Sequence, residues 1–238
     1  MRGVRAQTKV ELLLTLRRGE SLLVVAGIPV AILVFFSSVR VLPHKGREVD
    51  FLVPGVLALS VIASAMTSLG IATGFERHAG VLRRLGTTPL GRTGLFSAKV
   101  VATGVVVTLQ SALVCGVGKA LAWRPHGSAP LSVLVVALGT IAFAAIGFVL
   151  AGTLRAETNL AVANALFLAF LLLGGVIVPV SSLPDALARL ARVLPAAPLA
   201  AALRASIDGH AVNPSDVILL SAWALLATAA AARWFRWD

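Results

Sequence analysis

Six continuous apolar runs, each about the length of a bilayer-crossing helix, constrain this chain more than any other feature. They extend from about Ser21 to Val39, Phe51 to Phe75, Leu95 to Leu121, Leu131 to Leu154, Asn159 to Val180 and Val217 to Arg233. A hydrocarbon core roughly 30 Å thick takes about 20 helical residues to cross. Lipid offers no partner to backbone amides and carbonyls, so an open span has to be a helix. A β-barrel wall would alternate in short strands, and these runs are unbroken. The expectation is an all-α integral membrane protein with six transmembrane helices, residues 1–238 forming a single domain.

Composition closes off the soluble alternative. The chain is 58% hydrophobic and only 13% charged, with a mean hydropathy of +0.94. A water-soluble domain carries about a quarter charged residues and needs polar cover. The formal charge of +11 would suit nucleic acid if it formed a patch. Here the charges lie in short clusters between apolar runs, as topology-setting residues do, so no nucleic-acid partner is expected. The basic N-terminus, with Arg2, Arg5 and Lys9, leads to no small-residue cleavage site, so the first run reads as a retained span. With the N-terminus placed in the cytoplasm, thirteen of the 21 Lys and Arg residues fall in inner segments and eight in outer ones. That bias favours both termini inside.

Several stretches outside or within the runs carry pattern. Ala6, Val10, Leu13 and Leu14 recur at helical spacing among basic residues, which suits a helix lying in the membrane interface; a merely topogenic basic tail is the alternative. Between the second and third runs, Val81, Leu82 and Leu85 share a helical face beside Arg83 and Arg84. Such a helix can dock into a partner's groove, or it can be an interfacial loop with topogenic arginines. After the fifth run, Ser182 is placed to cap a helix with Pro184 in its first turn. Leu183, Leu187, Leu190 and Leu194 form its apolar stripe, opposite Asp185, Arg189 and Arg192.

Within the spans, Ser60, Ser64 and Ser68 lie four apart on one helical face, above Gly70 and Gly74. Small residues let membrane helices approach closely; the other reading is a translocation path. Gln110 and Asn164 are polar within spans, in the manner of interhelical hydrogen bonds. Pro29 is placed to kink the first span. Lys99 lies near the basic inner loop, and snorkelling to the interface is the expectation. The single cysteine, Cys115, has no partner in the chain for a disulfide.

The stretch Phe75–Lys99, with Glu76-Arg77-x-x-Gly80-x-Leu82 leading to Thr88-Pro89-Leu90 and then a span, resembles the signature of type-2 ABC exporter permeases. A second stretch is similar to that family's fifth span and the outer re-entrant helices after it. It begins at Asn164, runs through Gly174-Gly175-Val176-Ile177-Val178-Pro179 and Ser181-Ser182-Leu183-Pro184, and ends at Leu194-Pro195. With the N-terminal helix and six spans, the resemblance covers nearly the whole chain. It departs at His78, where many relatives are acidic, and near Arg83.

The resemblance implies an ATP-driven exporter subunit in a bacterial inner membrane. Glu76, Arg77, Gly80, Leu82, Arg83, Arg84, Leu85 and Pro89 would then form a coupling helix against cytoplasmic ABC ATPase subunits. A second permease copy or a similar permease chain would complete the pathway through membrane lipid. The sequence holds no Gly-x-x-x-x-Gly-Lys-Ser/Thr loop, so ATP and Mg belong on the ATPase and no cofactor is expected on this chain. No zinc-spaced His/Cys cluster occurs either, and His44, His78, His126 and His210 fall in separate loops. The apolar spans favour a small hydrophobic or amphipathic substrate, a drug or antibiotic, with lipid or polysaccharide export as the alternative. An ion-coupled secondary transporter would carry mid-span ionisable groups, which the runs lack.

Overall fold

A computed structural model describes residues 2–17, 19–38, 48–86 and 91–236. Among these residues the chain is helical throughout, with no strand. Helix α1 covers Arg2–Arg17 and α2 covers Gly19–Ser38. The long α3, Glu48–His78, is followed by the short α4, Val81–Gly86. Then come α5 (Gly91–Ala120), α6 (Ala129–Thr153) and α7 (Ala156–Leu173). The chain closes with α8 (Asp185–Val193), α9 (Ala196–Asp208) and α10 (Pro214–Trp234).

Five of these, α3, α5, α6, α7 and α10, contain stretches long and apolar enough to cross a membrane. They match the second, third, fourth, fifth and sixth runs of the sequence. Helix α2 occupies the first run; its described apolar part, Gly27–Ser38, is short of a full crossing by itself. The fifth span ends at Leu173, several residues before the expected Val180. Gly174 closes the helix, and Gly175 takes a left-handed φ of +68°, which turns the chain at low cost only for glycine. Helices α8 and α9 then meet at 80° across a short break between α7 and α10. Ser182 does not cap α8. It sits in a single 3₁₀ turn, its hydroxyl donating to the Pro179 carbonyl at 2.7 Å, and Pro184 holds the N-cap position.

Helix α3 is the axis of the bundle. Every residue from Leu52 to Met66 is buried, and α2, α5, α6, α7 and α9 all pack around it. Its middle, Ile62–Ser68, winds as a π-helix, so that the Leu69 amide donates to the Ser64 carbonyl five residues back. Such segments interrupt helices mostly at functional positions. Below it, α3 and α6 approach backbone to backbone at Gly70 and Gly147. A Cβ on Gly147 would stand 2.9 Å from the Met66 carbonyl oxygen, too close for any side chain.

The face of α1 turned to the bundle carries Gln7, Thr8, Glu11, Leu12 and Thr15, whereas Val10, Leu13 and Leu14 are exposed. Of the apolar stripe read in the sequence, Ala6, Val10 and Leu13 therefore point away from the protein, and Leu14 borders a cavity. If the α3–α6 contact sets the packing, Gly147→Val forces the two helices apart. The expected loss is about 1–3 kcal/mol, the usual cost of overpacking, measured as a lower melting temperature in detergent, while Gly104→Ala, with open space around it, leaves stability unchanged.

Candidate functional site

The residues at the end of α3 that carries Glu76–His78 divide between two jobs. Glu76 turns toward Lys99, in the third turn of α5, and its Oε2 accepts from the Lys99 ammonium at 2.7 Å. Glu11 of α1 closes the group from the other side, with Oε1 and Oε2 at 2.9 and 3.0 Å from the same ammonium. Gln7, one turn earlier on α1, donates to Glu11 at 2.9 Å. Lys99 is only 2% exposed and its two carboxylate partners 13% and 19%. The snorkelling expected of Lys99 is therefore corrected: two carboxylates within reach neutralise it in place, so it has no need of the interface.

Arg77 points the other way. Its two terminal nitrogens donate to the carbonyls of Gly152 and Leu154, both at 2.6 Å. These are C-terminal carbonyls of α6, left without partners inside the helix and lying at the negative end of its dipole. The Arg236 amide also donates to Gly152, which brings the end of α10 to the same place. Nearby, Asn159 is fully buried and donates to the Gly70 carbonyl at 2.9 Å, joining α7 to α3.

Beyond Arg77 the helix stops at Ala79, and Gly80 takes a φ of +69° that reverses the chain into α4. Nothing lies near a Cβ on Gly80, so the glycine serves the bend and not a close approach. Leu82 is buried at 1% exposure and Leu85 packs half-buried on the core, while Val81 and Arg83 are exposed. Arg84 is exposed as well. Pro89 lies outside the described residues.

Above the charged group opens a cavity of about 880 Å³ bounded by α1, α2, α3, α5 and α7, with Val81 of α4 at its edge. Ser64, Thr67 and Ser68 of the π segment line it with Thr103 and Asn164. Ser60 does not: it is buried and its hydroxyl donates to Val56 of its own helix. Of the three serines spaced four apart, Ser64 and Ser68 thus reach the cavity, and Ser60, one turn further along, lies in the packing. Ser64 donates to Gln110 of α5 at 2.6 Å, the interhelical bond expected of Gln110. Asn164 instead donates within its own helix, to Leu160 at 2.9 Å, and Asn159 makes the cross-helix bond. Among the described residues no group of His, Cys, Asp and Glu is placed to hold a metal ion.

Sequence reasoning missed the Glu11–Lys99–Glu76 group, the Arg77 cap and Asn159. A lysine inside an apolar run was the available signal for the first, since it demands a carboxylate partner somewhere. Which carboxylate depends on how α1 folds back onto α5, and Glu11 is 88 positions away from Lys99. Arg77 and Asn159 both reach backbone carbonyls, which leave no trace in a side-chain pattern.

A polytopic helical bundle, with one end clamped by charge and an apolar cavity opening above the clamp, is the framework of a membrane transport protein. Residues 2–207 match the family model described as ABC-2 type transporter, and the chain belongs to that family. The family is a membrane component of transport and not an enzyme by itself. The chain is also similar to a protein of Bacillus subtilis (strain 168) named "Putative transport permease YvfS", with 24% identity over 204 residues, covering 83% of this chain and 82% of the relative.

Two substitutions separate the two jobs of this end. Lys99→Met leaves two carboxylates facing each other without their cation, and is expected to cost about 3–5 kcal/mol. Adding Glu76→Gln to it recovers part of that loss, as read from melting temperatures in detergent. Arg77→Ala strips the α6 carbonyls of two charge-assisted hydrogen bonds, for about 2–3 kcal/mol, and a cycle combining it with Lys99→Met is additive because the two groups share no partner.

Proposed function

We propose that this chain is the membrane subunit of an ATP-driven exporter. It crosses the inner membrane of a bacterium six times, through α2, α3, α5, α6, α7 and α10, with both termini in the cytoplasm. Two copies, or this chain with a similar permease, enclose the pathway. Separate ABC ATPase subunits bind and hydrolyse ATP with Mg beneath them. The cargo is a hydrophobic or amphipathic compound of drug or antibiotic type, moved outward.

The observation that carries this reading is helix α4. It is short, follows the central helix directly and is anchored by Leu82, yet turns Arg83 and Arg84 outward, with Val81 at the cavity rim. A helix held on one side and exposed on the other suits docking into a groove. It would carry movement of an ATPase into the end of α3, because Gly80 is the only residue between them in a left-handed turn. The exposed arginines of α4, Arg83 and Arg84, call for an acidic groove on the ATPase. The outward apolar stripe of α1 fits the acyl boundary of the cytoplasmic leaflet.

The volume of the cavity, about 880 Å³, lies within the range for drug-sized ligands, roughly 300–1,000 Å³. It favours a compact compound over a polysaccharide chain. The charged group lies at helix ends, at the base of the cavity, whereas an ion-coupled carrier binds its ion near the bilayer midplane.

The test is co-expression with ABC ATPase subunits encoded next to this chain. Co-purification of one of them is expected; a folded permease that captures none of them counts heavily against the exporter reading. The docking surface is tested separately with the double variant Arg83→Glu and Arg84→Glu. Both positions are exposed, so stability should change by no more than about 0.5 kcal/mol, while ATPase capture and transport are lost. Leu82→Asp, by contrast, places a carboxylate in the core and should unfold the region. Full transport by the double variant would remove α4 from the coupling role.

A further inference from the structure

We propose that the cavity binds lipophilic cations in preference to anions or neutral compounds of the same shape. Three ionisable side chains line it among the described residues, Glu11, Glu76 and Lys99, and in their ordinary ionised states they sum to one negative charge. The sign is notable in a chain whose formal charge is +11.

Stereochemistry points the same way as the charge count. The Lys99 ammonium donates to Oε2 of Glu11 and Oε2 of Glu76, with Oε1 of Glu11 at 2.9 Å beside it. Held between two carboxylates and only 2% exposed, it is badly placed to meet an incoming anion. Oε1 of Glu76 takes no hydrogen bond from the other described residues and belongs to a side chain on the cavity wall. An arriving cation therefore meets a carboxylate oxygen with spare capacity, and an arriving anion meets only carboxylates.

The rest of the lining sets the body of the ligand. Ile28, Phe75, Val106 and Phe167 give apolar wall, and above the charged base the polar lining is uncharged, with Ser68, Thr103 and Asn164 among it. The site thus calls for a compact apolar body with a single positive charge near one end. Electrostatic attraction inside an apolar cavity is stronger than in water, and one net charge is enough to separate cation from anion by about tenfold or more.

As a statement about cargo this rests on the exporter reading, but the binding itself can be measured without any ATPase. The full chain in lipid nanodiscs is titrated with tetraphenylphosphonium and with tetraphenylborate, which share one shape and differ in sign. Specific binding is the part lost in Ser68→Phe or Ala72→Phe, either of which fills the cavity and leaves its charges alone. The expected result is specific phosphonium binding at least about tenfold tighter than borate. Glu76→Gln and Glu11→Gln each leave Lys99 one carboxylate, and each should weaken phosphonium about tenfold while leaving borate unchanged or improved. A purely structural role for these carboxylates would lower both affinities together. Equal affinities, a preference for borate, or a ratio unmoved in folded glutamine variants would overturn the proposal. Should a glutamine variant fail to fold, the ratio in the unsubstituted chain, read against the filled cavity, decides by itself. A lost preference alongside ATPase co-purification sinks the cation site and spares the exporter reading; the reverse pattern does the opposite.

Discussion

An ammonium group held between two carboxylates anchors one end of this bundle, and the positions of three helices depend on it. Burying any of these charges alone would cost several kcal/mol, more than a single packing contact returns. Lys99 is therefore tolerable on α5 only if α1 folds back to bring Glu11, and only if α3 ends with Glu76 turned toward it. The adjacent residue, Arg77, is about 100° further round the helix and reaches α6 on the other side. Two consecutive residues thus clamp the end of the central helix to both sides of the bundle. The Glu-Arg pair, which looks in sequence like the start of a docking surface, has its side chains turned inward.

The clamp explains how α3 can afford an irregular middle. A π segment gives up the standard hydrogen-bond register and is uncommon because α-helical turns are more stable. Here it is flanked by fully buried α-helix above and by the Gly70–Gly147 contact and the charged end below. Those neighbours fix the helix on both sides of the irregular turns. The irregular turns lie at the cavity wall: Ser64, Thr67 and Ser68 line it, and Ser60, above them, is in the packing. The cavity and the clamp are one construction, since Lys99 and Glu76 close its base.

The existence of the spans was legible because length and apolarity are dictated by the bilayer, and all five helices that qualify fall on runs read from the sequence. The left-handed turn at Gly80 was not legible, because the sequence pattern carries the coupling segment through this glycine. The end of α7 was misplaced because an apolar run continues past Gly174 and Gly175, and hydropathy does not register a change in φ. The serine pattern left packing and pathway both open; Ser60 and Ser64 are buried, and Ser64 and Ser68 also border the cavity. Interactions with a backbone carbonyl at one end, such as those of Arg77 and Asn159, have no second side chain to pattern against. The buried lysine is the intermediate case. Its cost was readable from the sequence, but its solution was not, because that depends on a contact between α1 and α5 across most of the chain's first hundred residues.

In the exporter proposed here, the same geometry bears on how force would pass from α4 to the cavity. Coupling between sites needs a physical element that both of them bias. Helix α4 is not a free flap, because Leu82 is inserted in the core and Gly80 joins it directly to the end of α3. A push on α4 either bends the chain at Gly80 or displaces the Glu76–Arg77 turn. Bending is resisted by the burial of Leu82 and Leu85, so displacement of the turn is the softer response. Moving that turn separates Glu76 from Lys99 or Arg77 from α6, and only the first of these alters the charge presented to the cavity. A device of this kind would link the docking surface to ligand affinity through one ion pair, with the Arg77 cap holding the rest of the bundle still.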